Sequence, residues 1–347
     1  MKKILIFALT LAIVLSLAAC GGGSKSADDV SVYAKLEPVE LICADSTAVG
    51  SAGQLFGMYF AQRALEITEG KLSIDYHPNG EMGGDLDLIR QMKANKIQIV
   101  VCQTAPVVSF VPEMAVFDLP MVFSEYDADR IDAVLNGQND FTSRLSKAYE
   151  DAGFHLLGFL QDGTYRLTTS NRPLNTLDDF KGLRIRTMEN SNQMAFWSAL
   201  GANPTPLAWA DVYDALESVR VDAQENAVDT ISGAYLQNVQ KYLACTDHVL
   251  YCNQICINKD AWNSLDPAYR AAIQQAASEA IEYMRPLLED VDRYHKQKLT
   301  ENGMTLIEYD TAFYDSILTL PGVQALYRDI DAQTDGLATI LYEELNK

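Results

Sequence analysis

VELICA, at residues Val39–Ala44, begins the stretch that decides the fold; LSIDY follows at Leu72–Tyr76 and IQIVVC at Ile97–Cys102. VELICA is a short apolar run that favours a buried strand, and LSIDY and IQIVVC are predicted as the second and third strands. Between them, Gly53–Glu69 repeats apolar residues at helical spacing, and Asp85–Ala94 predicts a second helix. Strands that alternate with helices in this way are typical of a parallel sheet covered by helices on both faces. The sequence therefore predicts an α/β fold.

A second series of strands and helices follows the first. We predict strands at Leu156–Phe159, Tyr165–Thr169, Leu183–Thr187 and Val249–Ile257, and helices near Asn192–Leu200 and Ala210–Ser218. Because one hydrophobic core seldom serves so long a chain, we expect two lobes. Lobe I is assigned to 38–163 with about 252–290, and lobe II to 164–251 with about 291–347. A helical pattern from Asp266-Pro267 to Asn302-Gly303 is long enough to span both lobes.

The N-terminus has the pattern of a secretory signal. Two lysines precede the uncharged apolar run Ile4–Leu17, which is shorter than the roughly 20 residues that a membrane-spanning helix needs. The run ends in LAAC at Cys20, which predicts a signal peptide at 1–19 and resembles the lipobox of bacterial lipoproteins, whose cysteine receives a diacylglycerol. The alternative is an ordinary cleaved signal with an incidental cysteine. Residues 20–37 then form a lipidated, flexible tether, and we expect an extracytoplasmic protein anchored to the membrane by lipid.

Composition and motifs exclude several functions. The chain has 47 acidic and 27 basic residues and a net charge of −20, which argues against nucleic acid as a partner. An anionic ligand stays possible, because a cleft needs only one or two well-placed cations. The phosphate-loop, dinucleotide, nucleophile-elbow and zinc-protease motifs are all missing from the sequence. Asp85 and Asp87 are interpreted as acids in the first turn of a helix, and Asp178 and Asp179 as turn residues. We therefore predict no cofactor, no metal and no enzyme activity, with a secreted hydrolase as the enzyme alternative.

The cysteines do not predict a disulfide framework. With Cys20 assigned to lipid, the number that remains is odd and shows no CxxC spacing. Cys252 and Cys256 share a strand pattern that would separate them by about 13 Å, too far for a bridge, so we expect both to be small buried residues. Cys43 and Cys102 each lie near the end of a predicted parallel strand, and a bridge between them is left open.

Several motifs in the central and early chain occur in one order and spacing. They are NRPLNTLDDFKGLRIR (171–186), LGANPTPL (200–207), VYDAL (212–216), VDAQEN (221–226), VQKY (239–242), PNGEMG (78–83) and FVPEMAVFDLP (110–120). Together they resemble the DctP-type solute-binding proteins of TRAP (tripartite ATP-independent periplasmic) transporters over about residues 40–310. The resemblance implies a periplasmic-binding-protein-like fold of two lobes that close on a ligand, with a long helix across both. It also implies a small organic acid as ligand and membrane permease subunits as partners, and we expect a monomer.

The resemblance assigns the central ligand contact to Arg186, which ends the KGLRIR strand and would form a two-pronged salt bridge with a carboxylate. A planar guanidinium suits this role because it offers paired, charge-assisted hydrogen bonds. Strand alternation alone places Arg184 and Arg186 on one face and does not choose between them. The family's second arginine, which often touches the ligand's carboxylate or a neighbouring polar group, falls on Arg166. Its ligand-binding asparagine falls on Asn226, for which a turn or cap role is the alternative.

Further candidates come from position in the chain. Trp209 is expected to stack on or wall the substrate, or else to lie in the core of the lobe. Gln103 and Thr104 follow the third strand, at the carboxyl end where open α/β sheets bind ligands. Tyr213 and Gln161 are expected to border the cleft.

The sequence departs from the family pattern at Ala227, Ser232 and Thr47–Gly50, positions that help to shape the distal pocket. The part of the substrate beyond its carboxylate therefore stays open among a dicarboxylate, a sugar acid, a keto acid and an aromatic acid. We predict a solute-binding protein that captures such a ligand by lobe closure for a TRAP transporter. A lipoprotein that delivers the ligand to a signalling receptor would have the same pocket.

Overall fold

The computed structural model describes residues 31–161, 164–288 and 290–347. The predicted signal peptide and Cys20 lie outside the described residues, so lipid attachment stays a prediction. Within the described ranges, two mixed sheets with packed helices form two lobes, which confirms the predicted α/β architecture. No helix in these ranges is both long enough and apolar enough to cross a bilayer.

The first lobe is built on a sheet with strand order β2-β1-β3-β10-β4. Its strands are β1 (Val39–Asp45), β2 (Leu72–His77), β3 (Ile99–Gln103), β4 (Phe154–Leu160) and β10 (Asn253–Asn258). As predicted, β1 pairs in parallel with β2 and β3, whereas β10 is antiparallel to β3 and β4. Since β10 lies between two strands of the N-terminal half, it ties the later part of the chain into the first lobe.

Helices cover both faces of this sheet. They are α1 (Ala52–Ile67), α2 (Asp85–Lys93), α3 (Thr104–Val107), α4 (Ala128–Leu135), α5 (Asp140–Ala152), α9 (Lys259–Ser264) and α10 (Pro267–Leu288). Alternate residues of β3 point to opposite faces: Ile99 packs in the cluster with α1 and α10, and Val100 in the cluster with α2 and α5. Burial on both faces explains why β3 is apolar from Ile99 to Cys102, before the polar Gln103 at its end.

The second lobe is built on a sheet with strand order β11-β9-β5-β8-β6-β7. Its strands are β5 (Leu167–Ser170), β6 (Arg184–Thr187), β7 (Asn203–Pro206), β8 (Ala223–Asn226), β9 (Tyr242–Ala244) and β11 (Thr305–Ile307). The remaining helices are α6 (Ser191–Ala199), α7 (Val212–Glu217), α8 (Val228–Gly233), α11 (Val291–Glu301), α12 (Thr311–Leu318), α13 (Pro321–Gln333) and α14 (Leu337–Leu345). The sequence did not predict β7, β8, β9 and β11, because all four are short and β7 and β8 are rich in proline or polar residues.

Two chain segments cross between the lobes side by side. Tyr165 and Leu250 form an antiparallel bridge between them. The backbone N–H of Arg166 donates to the Val249 carbonyl, and that of Tyr251 to the Thr164 carbonyl, both at 2.9 Å. These paired segments are therefore one of the connections between the lobes, and backbone hydrogen bonds hold them together.

The predicted long helix does cross from one lobe to the other, but it is two helices. We expected one helix from Asp266-Pro267 to Asn302-Gly303, whereas α10 ends at Leu288 and α11 begins at Val291. The first packs on α1 and β4 of the first lobe, and the second on α8 and β11 of the second lobe. Pro286 lies in the last turn of α10, where it removes a backbone donor and weakens the helix at this point.

The segments at both ends of the described chain lie elsewhere than the predicted lobe assignment placed them. α14, which we expected in lobe II with the rest of 291–347, packs on α4 and α5 of the first lobe, and Arg130 Nε donates to the Leu345 carbonyl at 3.0 Å. At the other end, part of the expected tether is a 3-10 turn, Val32–Lys35. Tyr33 stacks on Tyr269 with the ring centroids 6.1 Å apart. Packed structure therefore begins before residue 38.

The cysteines of the described chain are buried free thiols. Cys43 and Cys102 do not form the bridge that the sequence left open. The Cys43 side chain lies in the cluster beneath α1 and α10, while Cys102 lies on the opposite face of the sheet. A disulfide needs side chains that point toward each other, so this arrangement excludes one.

Candidate functional site

A cavity at the boundary of the two lobes brings together four of the predicted site residues, Gln103, Arg186, Trp209 and Asn226. Its other lining residues are Ser46, Thr47, Ala48, Asp85, Met188, Thr230 and Tyr251. Several of them lie at or just beyond the carboxyl ends of strands, where ligands bind in open α/β sheets. The cavity has a volume of about 30 Å³, room for about one water molecule. A larger ligand therefore requires the lobes to move apart or the lining to rearrange.

Arg186 is a buried cation that is not fully satisfied by the protein. Its guanidinium is 2 % exposed, and Nε and Nη2 both donate to the carbonyl oxygen of Leu207, at 2.9 and 2.7 Å. The Nη1 atom has no hydrogen-bond partner among the described residues. Burial lowers the pKa of Arg186 to about 10, which shows that removal from water disfavours its charge. An anion at this edge of the guanidinium would compensate that loss.

The structure separates Arg186 from Arg184, which strand alternation could not do. The Arg184 side chain is 45 % exposed and forms an ion pair with Asp222, with 2.5 Å between Nη2 and Oδ1. It occupies the first, exposed residue of β6, while Arg186 lies two residues further on, inside the lobe boundary. Arg184 is therefore partly exposed and paired with Asp222, whereas Arg186 faces the cavity.

Arg166 has its ionic partner within the protein. The guanidinium forms a buried ion pair with Glu225, with Nη2 donating to Oε1 at 3.0 Å, and Nη1 donates to Gln103 Oε1 at 3.1 Å. Burial opposes the charge of Glu225, but Arg166 and His248 more than offset this and hold the Glu225 pKa at about 2. Arg166 does not line the cavity, so the structure places it one layer behind, where it orients Gln103.

Trp209 and Asn226 both line the cavity. The Trp209 ring is half-buried, and its centroid lies 5.9 Å from the Arg186 guanidinium carbon, a distance suited to a cation–π contact. Asn226 ends β8 and accepts a hydrogen bond at Oδ1 from the Ala227 backbone at 3.1 Å. This hydrogen bond corresponds to the turn or cap role that the sequence allowed as the alternative. Asn226 nevertheless lines the cavity.

The other three candidates do not line this cavity. Thr104 is buried at the start of α3, and its backbone N–H donates to the Cys252 carbonyl at 3.3 Å. Tyr213 packs on the core of the second lobe. Gln161 lines a neighbouring cavity near the crossing segments and donates from Nε2 to the Ala128 carbonyl at 2.9 Å. Contact of these three residues with a ligand stays a prediction.

Asp85 is the main cavity residue that the sequence analysis did not select. It is the first residue of α2 and accepts a hydrogen bond from the Ser46 hydroxyl. Burial raises its pKa, while Ser46 and the charge of Arg186 act in the opposite direction. We had interpreted Asp85 only as an acid near a helix N-terminus. The signal that could have identified it is its place after β2, since a helix that follows a parallel strand begins at the ligand-binding edge.

Asp45 organises the loop that carries Ser46 and Thr47 into the cavity. Its Oδ1 accepts from the backbone N–H of Thr47 and of Asn79, each at 3.0 Å, and its Oδ2 accepts from the Tyr76 hydroxyl. Burial raises the pKa of Asp45 to about 6. The loop after β1 is thus held by a single carboxylate beneath the cavity wall.

Two lobes joined by crossing segments, with a buried and incompletely paired guanidinium between them, define a two-lobed solute-binding protein. The chain belongs to the DctP family (bacterial extracellular solute-binding protein, family 7), which matches residues 48–316. It is therefore an extracytoplasmic solute-binding protein of the TRAP transporter type, not an enzyme.

Characterised relatives agree with this assignment. The 2,3-diketo-L-gulonate-binding periplasmic protein YiaO of Escherichia coli is 28 % identical over 242 residues, which cover 70 % of this chain and 73 % of the relative. The C4-dicarboxylate-binding periplasmic protein DctP of Rhodobacter capsulatus is 25 % identical over 308 residues, which cover 87 % and 91 %. The crystal structure of the sugar acid binding protein of Advenella mimigardefordensis in complex with galactonate has a TM-score of 0.82 and 25 % identity, with 90 % of this chain and 99 % of that chain covered.

The Arg166–Glu225 pair yields a stability prediction. Glu225→Gln leaves a buried arginine without its counter-charge, and we expect the free energy of unfolding to fall by about 3–5 kcal/mol in urea titrations. Asp222→Asn, which breaks the exposed pair with Arg184, should cost less than about 1 kcal/mol. Similar losses of stability in Glu225→Gln and Asp222→Asn would contradict this account.

Because the pKa of Glu225 is depressed from 4.5 to about 2, its contribution to the free energy of unfolding is fully present above about pH 4.5 and is lost as the pH falls through 2.

Proposed function

We propose that the cavity binds a small organic carboxylate whose two oxygen atoms pair with Arg186. The observation that carries this proposal is the buried guanidinium whose Nη1 lacks a partner among the described residues. A ligand carboxylate would bring both a negative charge and acceptors for this edge. The relatives support the proposal, since 2,3-diketo-L-gulonate, C4-dicarboxylates and galactonate all carry a carboxylate.

Asp85 narrows the ligand class. It lines the same small cavity as Arg186, and its charge acts on that arginine. A second carboxylate on the ligand would meet a like charge in a poorly solvated place, which is unfavourable. A hydroxyl group would instead donate a hydrogen bond to Asp85, as the Ser46 hydroxyl does. We therefore favour a hydroxylated monocarboxylate, such as a sugar acid, over a dicarboxylate.

Binding would proceed by closure of the lobes around this ligand. Arg186, Met188 and Asn226 come from the second lobe, whereas Ser46, Asp85 and Gln103 come from the first. A carboxylate enclosed between them loses its hydration, and the guanidinium replaces it with fixed donors. The loaded protein would then deliver the ligand to the membrane permease subunits of the transporter.

We further propose that Cys20 carries a lipid that holds the protein at the outer face of the cell membrane. The support is the charged start, the short apolar run and the LAAC sequence that ends at Cys20. The chain between Cys20 and the packed turn at Val32–Lys35 would serve as the tether. Its length would leave the cleft free to meet the permease beside the same membrane.

The carboxylate assignment is tested at Arg186. After a thermal-shift screen of organic acids has identified a ligand, calorimetry should show that Arg186→Ala lowers its affinity by roughly 30-fold to several thousand-fold, equivalent to about 2–5 kcal/mol. Arg186→Lys should also bind poorly, because lysine keeps the charge but loses the fork. Arg184→Ala is the matched control on the same strand and should bind like the wild type. Unchanged binding in Arg186→Ala, or an equal loss in Arg184→Ala, would reject the assignment.

The ligand class is tested at Asp85. The wild type should prefer hydroxylated monocarboxylates such as galactonate to dicarboxylates such as succinate in competitive binding assays. In Asp85→Asn the amide no longer repels an anion, so the ratio of the two affinities should shift toward the dicarboxylate by roughly tenfold or more. Asp87→Asn, an exposed acid in the same first turn, is the control. A wild type that prefers dicarboxylates would refute the role of Asp85 and leave that of Arg186 intact.

Lipid attachment is tested by fractionation of cells that express the full chain. Cys20→Ala should move the protein from the membrane fraction to the soluble extracytoplasmic fraction. Cys245→Ala, a buried thiol in the folded part, should leave it at the membrane. Retention of the Cys20→Ala protein at the membrane would show that the lipobox assignment is wrong.

A further inference from the structure

Asp229 connects the two lobes through a buried polar contact outside the cavity. It lies in α8 of the second lobe, and its Oδ2 accepts a hydrogen bond from the backbone N–H of Ala52, at 3.2 Å. Ala52 is the first residue of α1 in the first lobe. The other carboxylate oxygen of Asp229, Oδ1, accepts a hydrogen bond from the Thr230 backbone N–H at 2.6 Å, which fixes the direction of the carboxylate. Asp229 and Ala52 are each only 8 % exposed, so water competes little for this contact.

The contact has a clear electrostatic basis. A helix of 16 residues such as α1 presents unpaired N–H groups and a partial positive charge at its N-terminus. Its own cap is weak, because Ser51 Oγ accepts from Gln54 N at 3.5 Å, the limit for a hydrogen bond. No Lys or Arg in the described ranges forms an ion pair with Asp229, so the helix N-terminus is the positive group that this carboxylate contacts directly.

The surrounding chain packs closely at the same place. Gly233, at the end of α8, lies so near the loop before α1 that an added Cβ would be 3.4 Å from the Val49 carbonyl oxygen. Thr230, next to Asp229, pairs its hydroxyl with that of Tyr251 at 3.0 Å. Thr230 of the second lobe and Ser46–Ala48 of the first lobe both line the cavity. The contact therefore joins the two segments that must separate when the cavity opens.

We propose that Asp229 is an interlobe latch: its carboxylate caps α1 of the opposite lobe and stabilises the closed arrangement without touching the ligand. Closure forms the cap, and opening leaves both the carboxylate and the helix N-terminus to be solvated again. The latch thus sets the balance between open and closed lobes, and through it the affinity for any ligand that binds only the closed form. The inference does not depend on which ligand the cavity takes.

The test uses the mature protein without ligand. In Asp229→Asn the charge on the cap is removed while the side-chain size is kept. Hydrogen exchange at the Ala52 and Gly53 amides should become roughly tenfold faster, the effect expected for a partly buried charge at a helix terminus. Small-angle X-ray scattering should show a larger radius of gyration as the lobes spend more time apart. Asp214→Asn, which removes an exposed charge from α7 of the same lobe, should match the wild type in both measurements.

The outcomes separate a latch from a merely local cap. The latch predicts faster hydrogen exchange at Ala52 together with a larger radius of gyration. It also predicts unchanged exchange at Leu65–Ile67, at the far end of α1. Faster exchange with an unchanged radius would show that Asp229 only prevents fraying of α1, and would overturn the proposal. Unchanged exchange would also overturn it, as would faster exchange along all of α1 with a large loss of melting temperature.

Discussion

The structure depends on how two arginines are kept charged away from water. A buried guanidinium needs an anion or a full set of acceptors, and the cost of leaving it without them is large. Arg166 meets this condition inside the protein through Glu225, while Arg186 has only the Leu207 carbonyl for two of its three nitrogen atoms. We propose that this difference separates a structural arginine from a ligand-binding one. It also explains why Arg186, and not its equally charged neighbour, is the centre of the proposed site.

The fold supplies the conditions for this arrangement. The strands of each lobe end at the boundary between the lobes, so that polar residues from separate parts of the chain converge there. Glu225 and Asn226 are adjacent on β8, where alternation turns one toward Arg166 and the other toward the cavity. The short cavity wall after β1 depends on Asp45, and the approach of the lobes is reinforced by Asp229. In the proposed account, ligand binding and lobe closure are thus supported by different residues.

Sequence patterns were most informative where burial was continuous. The strands β1, β2 and β3 and the helices α1 and α2 were predicted within about two residues, because long apolar or amphipathic runs have few alternative structures. Strand β8 was missed, since AQEN carries polar side chains although all four residues are buried. Its polarity is explained by partners far away in sequence, chiefly Arg166. The break after Leu288 was also missed, although Pro286 marks it.

The sequence by itself determined the α/β class, the two-lobe organisation and the family, because these depend on local periodicity and on motifs that can be recognised along the chain. The prediction of Arg186 as the ligand contact came from the family resemblance and not from strand alternation. Only the tertiary structure decided which charges are compensated. Arg184 and Arg186 have the same place in the alternation of β6. They differ because Arg184 pairs with the partly exposed Asp222, whereas Arg186 is enclosed at the lobe boundary. Asp85 and Asp229 are ordinary helix acids in the sequence. Their proposed roles come from Arg186 and from the α1 N-terminus, since electrostatic interactions depend on distance and burial in space and not on separation along the chain.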